Sequence, residues 1–304
     1  MLDSNVKSHG DVWAQWLLQV RHGNNFEHAS KIQPIINGIA DRVLDAANIK
    51  DGMTIVDVGT GDGLVAFRAI DRFGKNIQVI LTDISAPLLQ HAKKVADKIQ
   101  VKNQCRFLQC SAESLQEIED ASVDVVMTRA VLAYVSDKEA ALREFYRILK
   151  PGGRISFSEP ILRDEALIVN GIKKAVDSFP DDSGHRFIRL FHRWKSAQFP
   201  DTFEKISASP LTNFNERDLI HLTQNAKFSD VHLELHIDVF PTLITSWEIF
   251  INSSPHPLAP TLRTILAQQF TEEEQEYFEL ILRPEVENGK SLMTDRIAYL
   301  NAKK

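Results

Sequence analysis

Eleven residues, Met53 to Gly63, limit the folds open to this chain more than any others. They read MTIVDVGTGDG, a short apolar run of Ile55, Val56 and Val58, broken by Asp57 and closed by Gly59, Gly61 and Gly63. A helix-like stretch, LVAFRAIDRFG, follows directly. Strand, glycine turn and helix in that order give a Gly-x-Gly-x-Gly turn its meaning. The glycines let backbone approach a ligand closely, because no Cβ intervenes. The N–H groups that open the helix add a partly positive end. A carboxylate inside a strand is costly unless hydrogen-bonded, so Asp57 beside this turn points to a binding turn.

The rest of the chain repeats the alternation. Ile77 to Ser85, IQVILTDIS, is a nearly continuous apolar run ending in Asp83, as in a parallel strand covered on both faces. Asp83 lies 20 residues past Gly63, where an acid meets a ribose hydroxyl pair in nucleotide-binding α/β folds. Its other reading is a helix-capping acid. Ser85 and Pro87 then start a helix. CRFLQ leads into the loop CSAESL, VDVVMTR reads as a strand, and DKEAALREFYRIL as a helix stopped by KPGG. RISFSEP is a fifth strand, ending at Glu159 and Pro160. Strands alternating with helices predict right-handed crossovers and a mostly parallel sheet.

Helical spacing precedes this core. Trp13, Trp16, Leu17 and Val20 form one apolar face, and Ile35, Ile39, Val43 and Leu44 another. Either both helices pack on the sheet, or the first, with Arg21 and His22 behind it, closes over a ligand. After Pro160 the regularity breaks. HRFIRLFHRWKSAQF mixes Phe187, Leu190, Phe191 and Trp194 with His185, Arg186, Arg189, His192 and Arg193. It is either an amphipathic surface helix or a cap whose basic and aromatic residues meet a substrate. VHLELHIDVF alternates cleanly, as an antiparallel strand does, and two helical runs and a last strand, SLMTDRIAYLNAKK, complete the chain. The expected division is a helical lid over 1–50, a cofactor-binding core over 51–160, a helical cap over 161–220, and the rest of the sheet with a helical insert over 221–304.

Composition excludes several classes. A formal net charge of -6 argues against a broad nucleic-acid footprint. No apolar run approaches a membrane span, and the opening MLDSNVKSHGDVW has no secretory apolar region. Cys105 and Cys110 stand too far apart along one strand to bridge each other, so both are read as reduced thiols of a cytoplasmic protein. No metal-ligand spacing is present.

Taken together, VDVGTGDG (56–63), TDIS (82–85), CSAESL (110–115) and VDVVMTRAVLAYVSDKEAALREFYRILKPGG (123–153) resemble class I S-adenosylmethionine-dependent methyltransferases. The resemblance covers roughly 50–160 and the last strands, and is closest to small-molecule enzymes with a segment inserted after the fifth strand. It implies a Rossmann-like, mostly parallel seven-stranded sheet with helices on both faces. It implies S-adenosyl-L-methionine as cofactor, S-adenosyl-L-homocysteine as product, and a monomer or homodimer. By position, Asp57 and the backbone of Gly59, Thr60, Gly61 and Gly63 hold the methionine part. Asp83 takes the ribose hydroxyls, Ile84 packs on adenine, and Ala112 and Glu113 lie at its edge. Arg129 lines the methionine end near the substrate. Ser111 departs from the family, which often has an acid there for the adenine amino group. Either Glu113 takes over that contact or it is a surface acid.

In-line transfer from a sulfonium needs a general base only where the acceptor must lose a proton. Arg129, Tyr134 and Glu159 are expected at the rim of the site. Glu159 either acts as base, orients an ammonium, or is held by a neighbouring arginine or backbone. Tyr134 is either core or catalytic, and His185 and His192 are further base candidates. TRAV at 128–131, in place of Asp- or Asn-Pro-Pro-Tyr, weighs against adenine or glutamine amino groups as acceptors. The lack of a Pro-Cys nucleophile weighs against cytosine carbon, and two cysteines weigh against trivalent arsenic. A small molecule enclosed under the cap remains. The rival readings are a nucleotide-dependent oxidoreductase, disfavoured because GTGDG lacks GxGxxG spacing, and a non-catalytic cofactor-binding protein.

Overall fold

The computed structural model describes residues 11–180 and 184–304. The opening segment on which the absence of a secretory leader was argued lies largely outside this range. In chain order the elements are α1 (Val12–Leu18), α2 (Phe26–Ala47), β1 (Thr54–Val58), α3 (Leu64–Phe73), β2 (Gln78–Asp83), α4 (Ala86–Lys98), β3 (Cys105–Gln109) and β4 (Val123–Arg129). Then come α5 (Lys138–Ile148), β5 (Leu149–Pro160), α6 (Arg163–Ser178), α7 (Arg186–Ser196), α8 (Phe203–Ala208), α9 (Glu216–Asn225) and β6 (Ser229–Pro241). α10 (Trp247–Asn252), α11 (Leu262–Gln269), α12 (Glu272–Glu287) and β7 (Leu292–Lys303) complete the chain.

The strands form one seven-stranded sheet in the order β3-β2-β1-β4-β5-β7-β6. β1 to β5 pair parallel, and β7 runs antiparallel between β5 and β6. A six-stranded dinucleotide fold of order 3-2-1-4-5-6 has no such reversed strand. Successive residues of β1 enter opposite layers. Ile55 joins Val43, Ala66, Leu81 and Met127 beneath α2 and α3, whereas Val56 and Val58 join Phe145, Phe157 and Leu219 beneath α5 and α9. Burial on both faces explains why these strands read as unbroken apolar runs. The KPGG segment stops α5 and forms a bulge within β5, so that Val123 pairs with Leu149 and Val125 with Arg154.

The flanking segments divide differently from the expected blocks. Within 1–50, α2 packs on β4, β5 and β7, while α1 buries no residue and stands apart from the sheet. Within 161–220, α9 packs on α5, β6 and β7 as a layer helix. The cap is instead assembled from two insertions. Leu190 and Trp194 of α7 share a small core with Trp247 and Ile251 of α10, Ile265 of α11 and Phe278 of α12. No helix among the described residues is long and apolar enough to cross a membrane.

Candidate active site

Chain order reverses direction in the sheet between β1 and β4, and the crevice outside such a switch point is where α/β sheets bind ligands. Here it opens into a cavity of about 1070 Å³ walled by the loops after β1, β2, β3 and β4, by α1 and α2, and by the two-part cap. That exceeds the ~300–1,000 Å³ usual for a single-ligand site.

The turn after β1 forms the floor. Gly59 has φ +62, and a Cβ there would lie 2.4 Å from Val131 Cγ2. Gly61 has φ +58, and its Cβ would lie 2.9 Å from Leu17 Cδ2. Both positions therefore require glycine, and Leu17 shows that α1 sits directly over the turn. Asp57 is buried at the end of β1. Its Oδ2 accepts from Thr60 Oγ1 at 2.7 Å and from the Ala66 N–H at 3.2 Å. Burial pushes this carboxyl up to about 7, against the pull of those two donors.

Asp83 closes β2. Its Oδ2 accepts from the Gly61 N–H at 2.8 Å and its Oδ1 from the Ser85 N–H at 2.9 Å. A carboxylate offers about four lone-pair sites, so Asp83 keeps capacity for a further donor. Burial raises the Asp83 pKa as well. Ile84, 50% exposed, presents an apolar side chain in the same wall. After β3, Ser111 Oγ donates to Glu113 Oε2 at 3.2 Å, and Glu113 Oε1 accepts from the Asp137 N–H at 2.7 Å. Glu113 thus ties this loop to the start of α5, while Ser111, Ala112 and Glu113 all line the cavity.

Arg129 is the last residue of β4 and Arg21 lies in the single turn after α1; both line the cavity. Neither guanidinium has a hydrogen-bond or ion-pair partner among the described residues. Arg21 packs on the Trp16 ring at 5.3 Å. Burial, then the charge of Arg129, lowers its pKa to about 10, with Asp62 acting in the opposite sense. Tyr134 meets Trp13 edge-on at 5.1 Å, and burial pushes its hydroxyl well above the usual value. Arg21, Trp13 and Trp16 reach the site only because α1 folds back over it. Their signal in the sequence was the 3/4 spacing of the tryptophans.

Glu159 requires a correction. It lies within β5, is fully buried, and does not line the cavity. Its Oε1 accepts from the N–H groups of Val131 and Leu132, both at 2.9 Å, and its Oε2 from Ala133 at 3.1 Å. These bonds pin the loop after β4, where Ala130 adopts a left-handed φ of 56. The carboxylate faces backbone and not the rim, and the three bonds it accepts brace the loop. His185 stacks on Phe179 and His192 stands 3.3 Å from Asp201 Oδ2; neither lines the cavity. His28, overlooked in the sequence, is buried in the wall under α1.

Beyond the strand ends the cavity turns apolar. Ile32, Ile36 and Ile39 of α2 face Phe191 and Trp194 of α7, Phe250 of α10 and Val286 of α12. Among the described residues no cluster of three or more His, Cys, Asp or Glu is placed to hold a metal ion.

The family described as methyltransferase domain matches residues 49–195. The ubiquinone/menaquinone biosynthesis C-methyltransferase UbiE of Enterobacter sp. (strain 638) is 31% identical over 139 residues, 45% of this chain and 52% of that protein. The chain thus spans about half the length of the curated relatives it matches. Among solved structures, the YcgJ protein from Bacillus subtilis covers 88% of this chain and 98% of its own, with TM-score 0.56 and 16% identity. The cyclase SpnF covers 90% of this chain and 82% of its own, with TM-score 0.52 and 18% identity. At such identities the likeness is one of fold, and a cyclase on this fold means that chemistry has to be argued from the site.

Proposed function

We propose that this chain, whose residues 49–195 match the methyltransferase-domain family, transfers the methyl group of S-adenosyl-L-methionine to a small, largely apolar acceptor and releases S-adenosyl-L-homocysteine. One observation carries the reading. Asp57, the glycine turn, Asp83 and Ile84 line the same cavity as an apolar chamber under the cap. When bound, the cofactor supplies an electrophilic methyl on a sulfonium. The chain supplies position and a water-poor enclosure. Asp83 meets the ribose hydroxyls with its remaining acceptor capacity. Ile84 packs on adenine, with Ser111, Ala112 and Glu113 at the ring edge. Asp57 and the backbone of Gly59, Thr60, Gly61 and Gly63 enclose the methionine part. Arg129 and Arg21 face its carboxylate, a charge-assisted pairing that explains two guanidiniums without partners among the described residues. Tyr134, Trp13 and Trp16 cover this end and exclude water. The size and apolar lining of the remaining space favour an acceptor with an aromatic or hydrocarbon body. The two unpaired thiols support a cytoplasmic enzyme, and the net charge of -6 supports a non-nucleic-acid acceptor.

Calorimetry with S-adenosylhomocysteine, S-adenosylmethionine and NADH tests the cofactor. Binding of NADH without S-adenosylhomocysteine would return the oxidoreductase reading. Methyl release to a panel of quinols, phenols, amines and thiols separates an enzyme from a non-catalytic binder.

Two further results are expected. Affinity for S-adenosylhomocysteine depends on pH through Asp57. Its carboxyl is protonated below about 7 in the free protein, whereas a methionine ammonium favours the ionised form. Affinity therefore rises with pH, approaching about tenfold per unit below that value, and levels off above it. Titrations in buffers of different ionisation enthalpy should show proton release, and Asp57→Asn should abolish both effects. Arg129→Ala should weaken binding by about 1.5–2 kcal/mol, the scale of one lost hydrogen bond to a charged group. A pH-independent affinity, or a neutral Arg129→Ala, removes the corresponding role.

A further inference from the structure

The outer edge of the sheet carries an inference independent of methyl transfer. Among the described residues β6 pairs only with β7 and is the sheet edge on that side. Edge strands are normally blunted by lysine, proline or bulges. β6 has none of these from His232 to Phe240, its one irregularity lying at Ser229 to His232. Leu235, Ile237 and Val239 are 39%, 56% and 60% exposed. Val231 and Leu233, on the same face, pack against the core beneath α9. Half of this apolar face is therefore covered and half is bare.

We propose that β6 pairs antiparallel with β6 of a second copy about a two-fold axis through Leu235. That register sets Val239 opposite the partner's Val231 and Ile237 opposite the partner's Leu233, so each bare half meets a covered half. On the other face Glu234 meets the partner's His236, and Asp238 meets the partner's His232. Centring on Glu234 instead sets glutamate on glutamate and histidine on histidine. Centring on His236 sets Glu234 against Asp238. A slip of one residue sets the apolar face against the charged one. Axes through Leu233 and Ile237 also set a histidine against an acid, but the first sets Ile237 against Ser229 and the second sets Glu234 against Phe240; the axis through Leu235 matches every residue from Val231 to Val239. Asp238 also stands directly across from Asp295 of β7, an acidic pair that a partner histidine would offset. A self-complementary strand is what a two-fold interface demands.

Sedimentation velocity and cysteine cross-linking test it on the full chain. The wild type should sediment at twice the chain mass, and Glu234→Lys should raise the dimer Kd at least tenfold. Under mild oxidation Leu235→Cys should become a covalent dimer. Val239→Cys should not, because its copy lies about 27 Å away along the paired strands. The wild type, with Cys105 and Cys110, sets the background. A monomer at every concentration overturns the proposal, as does a dimer in which Leu235→Cys cross-links no better than Val239→Cys.

Discussion

Glu159→Ala is expected to lower the unfolding free energy by about 3–5 kcal/mol, read as a shift in the urea midpoint at constant slope. Three N–H groups, those of Leu132 and Ala133 buried and that of Val131 partly so, lose their acceptor together. Each orphaned donor costs about 1–3 kcal/mol, and water entering the gap recovers part of that. The loop they hold also contains left-handed Ala130, a conformation costing roughly 1–3 kcal/mol that persists only while its surroundings enforce it. With the anchor gone, Val131 is free to leave Gly59, against which it packs, and Arg129 and Tyr134 lose their fixed positions on either side. Glu159→Gln distinguishes positioning from catalysis. Its carbonyl oxygen can replace Oε1, but its NH₂ must face one of the three donors, so an intermediate loss of stability is expected. Turnover of the folded fraction should survive. A glutamine variant as stable as the wild type yet without turnover would return Glu159 to the role of base.

The contrast between Glu159 and Asp57 shows where sequence reading ends. Asp57, the glycines and α3 follow one another within a few residues, so the local pattern contains the whole device. The same holds for Asp83 with Ser85, and for KPGG after α5. Glu159 looks like a rim residue because it ends an apolar run. Its acceptors' partners lie 26 to 28 residues earlier in the chain, and no local spacing announces them. The core that joins α7 to α10–α12 escapes local spacing for the same reason. Trp194 and Phe278 share one small core, but that core exists only when two insertions separated by a layer helix and a strand meet. α1 and α2 have similar apolar periodicity. Periodicity says that a face is buried, not whether sheet or cavity lies beneath it.

Asp83→Ala is expected to weaken S-adenosylhomocysteine binding by about 2–3 kcal/mol, roughly a 30- to 150-fold rise in Kd. Two ribose hydroxyls donating to one carboxylate account for this, since hydrogen bonds to charged groups contribute about 1.5–3 kcal/mol each and water in the alanine variant recovers part of their sum. The carboxylate also accepts from the Gly61 and Ser85 N–H groups, so a loss of affinity alone could reflect a distorted turn. A second ligand separates the two effects. An S-adenosylhomocysteine analogue lacking both ribose hydroxyls should bind the wild type as weakly as the alanine variant binds the natural compound. The alanine variant should scarcely distinguish the two ligands. Such a cycle isolates the sugar contact from any change in the turn, because the distortion is common to both ligands. If the variant loses affinity but discriminates between the ligands as strongly as the wild type, Asp83 serves only to brace Gly61 and Ser85. The sugar would then have to lie elsewhere in the crevice, and with it the axis along which the methyl group moves.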